Sequence, residues 1–134
     1  MITMEALSKQ SGVDVDTIRA CQRLGLFAKP RRMVGGLALY RLADVDRIRF
    51  IARALDLGFG AEEIRKLIRL ADRKTERCAE VNAMVKHHLD NLNSRIADLQ
   101  RMAASLTPLV SACSAEMVIS ECAIMQALTA RPHR

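Results

Sequence analysis

The sequence predicts a mainly α-helical fold in three parts. They are a winged helix-turn-helix domain at residues 1–73, a long antiparallel coiled-coil dimerisation helix at 74–110, and a Cys-bearing loop with a short C-terminal helix at 111–134. Three observations predict it. From Val81 to Val110 apolar residues recur in steps of three and four; two short segments with capping residues precede a Gly-Gly turn; and Cys78, Cys113 and Cys122 bracket the long segment.

Thr3 can cap a first helix that turns Met4, Ala6 and Leu7 inward, and Ser11-Gly12 breaks it. Asp14 caps a second helix, Val15–Leu24, with Val15, Ile18 and Leu24 on one side and Asp16, Thr17, Arg19, Gln22 and Arg23 on the other. Two short helices about a Gly-containing turn fit a helix-turn-helix whose second helix enters a major groove; they also fit an ordinary helical hairpin. Lys29-Pro30-Arg31-Arg32, Gly35-Gly36 and Leu37–Tyr40 read as a small β-hairpin, or wing. Its basic residues Arg31 and Arg32 would face phosphate, unless this is only a solvated basic loop.

Asp44–Leu55 is amphipathic, with Val45, Ile48, Phe50, Ile51 and Leu55 partly buried and Arg47, Arg49 and Arg53 outside. Gly58 ends it. Glu62–Leu70 forms another short helix, and the polar run Arg73–Glu76 leads to the long one. There Val81, Val85, Leu89, Leu92, Ile96, Leu99, Ala103, Leu106 and Val110 form one apolar face over about four heptads. Some 30 residues of helix make roughly 45 Å, more than so short a chain needs to close its own core. The seam is therefore expected to meet a second copy, as a coiled coil. Ser111–Glu121 would then be a loop, Ala123–Leu128 a last short helix, and Thr129–Arg134 a fraying tail.

The cysteines follow from that geometry. In an antiparallel dimer the start of one helix lies beside the end of the other, so Cys78 of one subunit could join Cys113 and Cys122 of its partner. Parallel pairing would destroy this arrangement. No apolar run approaches 18 residues and Met1–Gln10 is polar, so the expected location is cytoplasmic, with no membrane partner. Thiols stay reduced there, and four cysteines point to metal or redox chemistry rather than disulfides. Cys21 lies outside the triad and reads as a small, partly buried hydrophobe.

The net charge of +6 is concentrated at one end: residues 1–70 carry +5 and residues 71–134 carry +1. All four aromatics, Phe27, Tyr40, Phe50 and Phe59, lie in the basic half. A basic first half on a near-neutral helical second half suggests a nucleic-acid reader on a dimerisation stalk. His87-His88 point in different directions on a helix and make a poor metal pair; packing or solvation suits them better. Scattered Met84, Met102, Met117 and Met125 read as filler. No paired carboxylates, phosphate loop or Ser/His/Asp set appears, so no enzyme is expected.

Several stretches carry a resemblance: Ser11-Gly12-Val13 with Thr17-Ile18-Arg19, then Gln22-Arg23-Leu24-Gly25-Leu26, Tyr40, Ala43-Asp44-Val45, Leu57-Gly58-Phe59, Glu62-Glu63-Ile64, and above all the spacings of Cys78, Cys113 and Cys122. Over essentially its whole length the chain resembles the MerR family of metal-responsive transcription regulators, in the mercury, lead and cadmium branch. The resemblance implies that Asp16, Thr17, Arg19, Gln22, Arg23, Arg31, Arg32 and Tyr40 serve DNA binding, and that Cys78, Cys113 and Cys122 hold metal. It implies a homodimer on a palindromic promoter whose elements are set too far apart. Metal binding would rotate the DNA-binding domains, untwist the operator and align the promoter for RNA polymerase.

Copper- and gold-responsive relatives carry Ser at the position of Cys78. Three thiolates suit a soft divalent ion, Hg(II), Pb(II) or Cd(II), with Zn(II) behind because it prefers four ligands; resemblance to relatives puts Hg(II) first, then Pb(II) or Cd(II). Gly58-Phe59 and the nine-residue Cys113–Cys122 spacing resemble mercury regulators, and that spacing also occurs among lead regulators. Cys78–Ala83 and Glu121–Gln126 resemble lead and cadmium ones, and Ala123 stands where mercury regulators usually have Pro. Two positions depart from the family: Ala20-Cys21 replaces an aromatic pair, and Ala38 replaces a wing Arg. Two alternatives follow from them and from the thiols: a soft-metal-binding dimer with weakened or lost promoter activation, or a thiol-redox sensor.

Overall fold

A computed structural model describes residues 1–132. His133 and Arg134, part of the tail expected to fray, lie outside the described residues. The chain divides into two units, Met1–Val81 and Asn82 onward.

The first unit begins with a two-residue strand, β1 (Ile2–Thr3), too short for any periodicity to announce it. Thr3 does cap helix α1 (Met4–Ser11), accepting from the Ala6 N–H at 3.2 Å. Gly12 ends α1 in the left-handed region at φ +75°, its N–H bonded to the Ser8 carbonyl, which a residue without Cβ adopts at little cost. Asp14 caps helix α2 (Val15–Arg23) through the Thr17 N–H at 2.7 Å. That bond holds the Asp14 carboxyl below its ordinary pKa, so the cap acts above the unfolded-state pKa and is lost as pH falls through the folded one.

Leu24 does not turn inward as expected. The helix stops at Arg23, and Leu24 becomes the C-cap, 47% exposed. Leu26 and Phe27 take its place in the core, both donating to the Cys21 carbonyl. The wing forms as expected: β2 (Arg32–Val34) pairs antiparallel with β3 (Leu37–Tyr40), Met33 opposite Ala38. Gly35 and Gly36 both have positive φ, +56° and +81°, the signature of a tight two-residue hairpin turn. β1 adds to the other edge of β3, giving the order β1-β3-β2.

Helix α3 (Ala43–Asp56) packs against both α1 and α2, and α4 (Ala61–Ala71) packs against α3. Leu7, Ile18, Ile48, Ile51 and Ile64 are fully buried; each such side chain contributes about 1.5–3 kcal/mol by leaving water. The α3 arginines expected outside are tied down in part. Arg49 donates to the Gln10 and Ser11 carbonyls at the end of α1, and Arg47 reaches Asp72 at 2.6 Å. Arg65 of α4 donates to the Leu24 carbonyl at 2.7 Å and also pairs with Glu62.

The second unit is dominated by helix α5 (Ala79–Ala112), 34 residues and about 50 Å long. It runs two residues past the expected end at Val110, so Ser111 and Ala112 are helical rather than loop. Pro108 removes one N–H but leaves later bonds intact, and Cys113 still donates to the Leu109 carbonyl. Val85, Leu89, Ile96, Leu99, Leu106 and Val110 of the seam are 44–68% exposed in the single chain. His88 is buried and His87 exposed beside Asn91. A 3-10 turn (Ile119–Glu121) leads into α6 (Ala123–Thr129).

Ile48→Ala should cost about 2–5 kcal/mol, because α3 is the shared wall of the core and a cavity there cannot collapse. Urea unfolding would show it as a lower midpoint at unchanged slope.

Candidate metal centre and nucleic-acid interface

Two thiols meet behind α5. Cys113 follows the last helical residue and Cys122 caps α6, which brings Cys113 Sγ and Cys122 Sγ to 3.4 Å, both half-buried. At zinc's metal–sulfur distance of about 2.3 Å, two thiolates stand roughly 3.8 Å apart in a tetrahedral site and roughly 4.0 Å apart in a planar three-thiolate site. A shift of a few tenths of an ångström would seat a soft ion on this pair, and the donor chemistry fits one.

The two sulfurs divide the proton unequally. Cys122 is lowered from its ordinary value, first by the Met125 N–H, then by the Cys113 thiol and the Ile124 N–H; its sulfur feels these amides without a formed cap hydrogen bond. Cys113 is raised, because its S–H bonds the Cys122 sulfur and because a thiolate there would face a second one. Cys122 is thus the readier thiolate. Cys78 lies just before α5, exposed. Among the described residues, no three of His, Cys, Asp and Glu gather within this chain as a metal-holding group. The structure therefore brings two of the three expected ligands, Cys113 and Cys122, together in the second unit, and Cys78 belongs to the first. Cys21 is fully buried, beyond the partial burial expected, and burial pushes its thiol up.

The second candidate surface lies on the first unit. A cleft of about 590 Å³ is lined by Arg19, Gln22, Arg23, Lys29 and Pro30. It adjoins a groove of about 670 Å³ between α2 and the wing, where Arg19 and Gln22 face Met33, Leu37 and Ala38. Among the described residues Arg19, Arg23, Lys29, Arg31 and Arg32 form no ion pair, whereas Arg41, Arg47, Arg49 and Arg65 do. Unpaired guanidinium and ammonium groups are free to meet phosphate.

The expected contacts fall in different places. Arg19, Gln22 and Arg23 share the cleft; Arg31 and Arg32 are exposed at the start of the wing, outside it; Asp16 is exposed on α2. Thr17 lines a separate depression with Gly12, Asp14, Arg49 and Arg53. Tyr40 needs correction as a DNA contact. It is 1% exposed, stacked on Phe27 with ring centroids 6.0 Å apart, and its hydroxyl accepts from Gln22 Nε2 at 3.0 Å. A ring at that depth cannot enter a groove. Lys29, absent from the expected contacts, lines the cleft; its place in the basic run before Pro30 was the available signal.

The cysteine pair predicts an order of reaction. At neutral pH a limiting alkylating agent should modify Cys122 before Cys113, with the Cys122 rate reaching half its maximum below the ordinary thiol pKa. Peptide mapping reads the order, and faster labelling of Cys113 would contradict it.

Comparison with known proteins bears on both surfaces. The family model described as MerR HTH family regulatory protein matches residues 2–71, and that described as MerR, DNA binding matches 45–109. A mercuric resistance operon regulatory protein of Pseudomonas fluorescens is 39% identical over 127 residues, covering 95% of this chain and 87% of the relative. The transcription regulator PbrR691 from Ralstonia metallidurans CH34, solved in complex with lead(II), superposes with a TM-score of 0.79 at 30% identity, covering 96% of this chain and 99% of that one. The dual-function regulator MerR of Bacillus megaterium MB1, in complex with mercury(II), gives 0.61 at 31% identity, with 90% and 94% covered.

Proposed function

The chain belongs to the MerR family of helix-turn-helix regulatory proteins, and on that premise we propose how it senses metal and reads DNA. It is a metal-responsive transcription regulator. We assign it a soft-metal resistance operon, with Hg(II) as first inducer, Pb(II) or Cd(II) next, and Zn(II) behind. The observation that carries this is the 3.4 Å approach of Cys113 to Cys122 at the end of a long helix with an exposed apolar seam.

The working unit is a cytoplasmic homodimer, not an enzyme, with residues 1–73 reading promoter DNA, the 74–110 segment, helical from Ala79, forming the dimer stalk, and 111–134 holding the ion. Burying the seam against an antiparallel copy places Cys78 of the partner subunit beside Cys113 and Cys122. A bound soft divalent ion supplies the Lewis acidity that holds three thiolates on one centre. Cys122 offers the readier thiolate and Cys113 gives its proton to solvent. Because the donors come from two chains, only a dimer geometry that gathers all three is favoured, and the shift cannot exceed the difference in affinity between two geometries. Asp16, Thr17, Arg19, Arg23, Arg31 and Arg32 face the duplex, and the change in dimer geometry presents the promoter to RNA polymerase.

Anaerobic titration of the reduced protein with Hg(II), Pb(II), Cd(II) and Zn(II) tests the metal half, through thiolate charge-transfer absorption and competition with a small thiol. One ion per subunit should bind, and Cys78→Ser should weaken it by at least about tenfold, or 1.4 kcal/mol. Absent binding of all four ions would sink the assignment. A response to oxidant that survives Cys78→Ser would instead favour thiol-redox sensing, since Cys113 and Cys122 alone suffice for that.

Ala38 tests the DNA half. It lies on β3 facing the groove that Arg19 lines, so Ala38→Arg should restore one phosphate contact. Affinity should rise, and the slope of log affinity against log salt should steepen by about one.

A further inference from the structure

Gln22 is the neutral polar side chain in the α2–wing cleft, and its hydrogen bonds limit what it can do. Its Nε2 donates to the Tyr40 hydroxyl at 3.0 Å and to the Ala28 carbonyl at 3.4 Å. A carbonyl only accepts, so the atom facing Ala28 must be the amide nitrogen, which fixes the orientation of the amide. Both amide hydrogens are then engaged, and only Oε1 stays available. Bidentate reading of adenine by Gln needs a donor and an acceptor from the same amide; here the donor side already has the Tyr40 hydroxyl and the Ala28 carbonyl as partners. Tyr40 cannot swing away to release it, being buried and stacked on Phe27.

The partners of Gln22 also belong to different parts of the domain. Ala28 follows the turn after α2, whereas Tyr40 ends β3, the strand that pairs Leu39 with Arg32. We propose that Gln22 is a positioning residue that braces the recognition helix to the wing through Tyr40. It thereby holds Arg19 and Arg23 in register with Arg31 and Arg32, rather than reading a base. Phosphates along a duplex have fixed spacing, so two sets of cations bind together only if their separation is held. This positioning role presupposes the DNA-binding role proposed above.

The test uses the full-length protein and a duplex that the wild type enriches from a randomised pool. Affinity is measured against salt for the wild type, Gln22→Met, Tyr40→Phe and the double variant. Each single change should weaken binding by about tenfold, and the double should be no weaker than the weaker single, because both break one brace. Each should also flatten the salt slope by about one to two, as wing cations fall out of register. Loss of a neutral side chain that merely touched a base would leave the slope intact. Tyr40→Phe keeps the stacked ring, and an unchanged thermal midpoint confirms that the variant is folded. Relaxed preference at a single base pair in Gln22→Met, with an unchanged slope and a silent Tyr40→Phe, would overturn the brace in favour of direct reading. Wild-type binding by both single variants would overturn it too. A wild type that enriches no duplex overturns the DNA-binding reading itself, and this role with it.

Discussion

The first unit depends on one packed layer in which α3 is the common wall. Ile48 and Ile51 are fully buried there together with Leu7 of α1 and Ile18 of α2. The same helix touches both arms of the helix-turn-helix, so apolar contact holds the two arms together, and hydrogen bonds of Ser8 and Ser11 to Val13 fix the turn between them. The polar contacts refine this. Arg49 closes the end of α1 on backbone carbonyls, Arg65 closes the end of α2, and Arg47 joins α3 to Asp72. These arginines are therefore structural cations, whereas those on α2, at Lys29 and along the start of the wing are among the cations without an ion pair.

The second unit is built by the opposite principle. α5 buries little of its seam within one chain, and an apolar stripe of that length left in water is costly. The helix ends in a loop and turn that bring two thiols together, and among the described residues no group of three possible donors forms. In the proposed function, the exposed seam and the two-thiol pair are two signs of one requirement, a second chain. In the proposed assembly, pairing of the helices and completion of the thiolate set are the same event, which gives metal occupancy a route to dimer geometry.

Tyr40 shows how burial changes a residue's job. The family resemblance implies a DNA contact for Tyr40, the last residue of β3. The strand β1, two residues long and without periodicity, pairs on the far edge of β3 with Ile2 opposite Tyr40, and the ring turns into the core against Phe27. Its hydroxyl then orders Gln22 instead of a phosphate. Leu24 moves the other way: its apolar character suggested core, but the helix ends one residue earlier and the cap position is exposed.

What the sequence determined by itself were the features that depend on local spacing. The caps at Thr3 and Asp14, the hairpin at Gly35-Gly36, the long helix and the chemistry of its flanking cysteines are all readable within a few residues, because hydrogen-bonding turns and helical periodicity are local. Only the tertiary structure decided which cations are occupied, which way Tyr40 and Leu24 face, and how closely Cys113 approaches Cys122. Those outcomes join residues such as Gln22 and Tyr40, or Arg65 and Leu24, that are distant in the chain and meet only when α2, the wing and α4 pack. The physical reason is that side-chain partners are assigned by competition for burial among whole elements, which no single stretch of sequence contains.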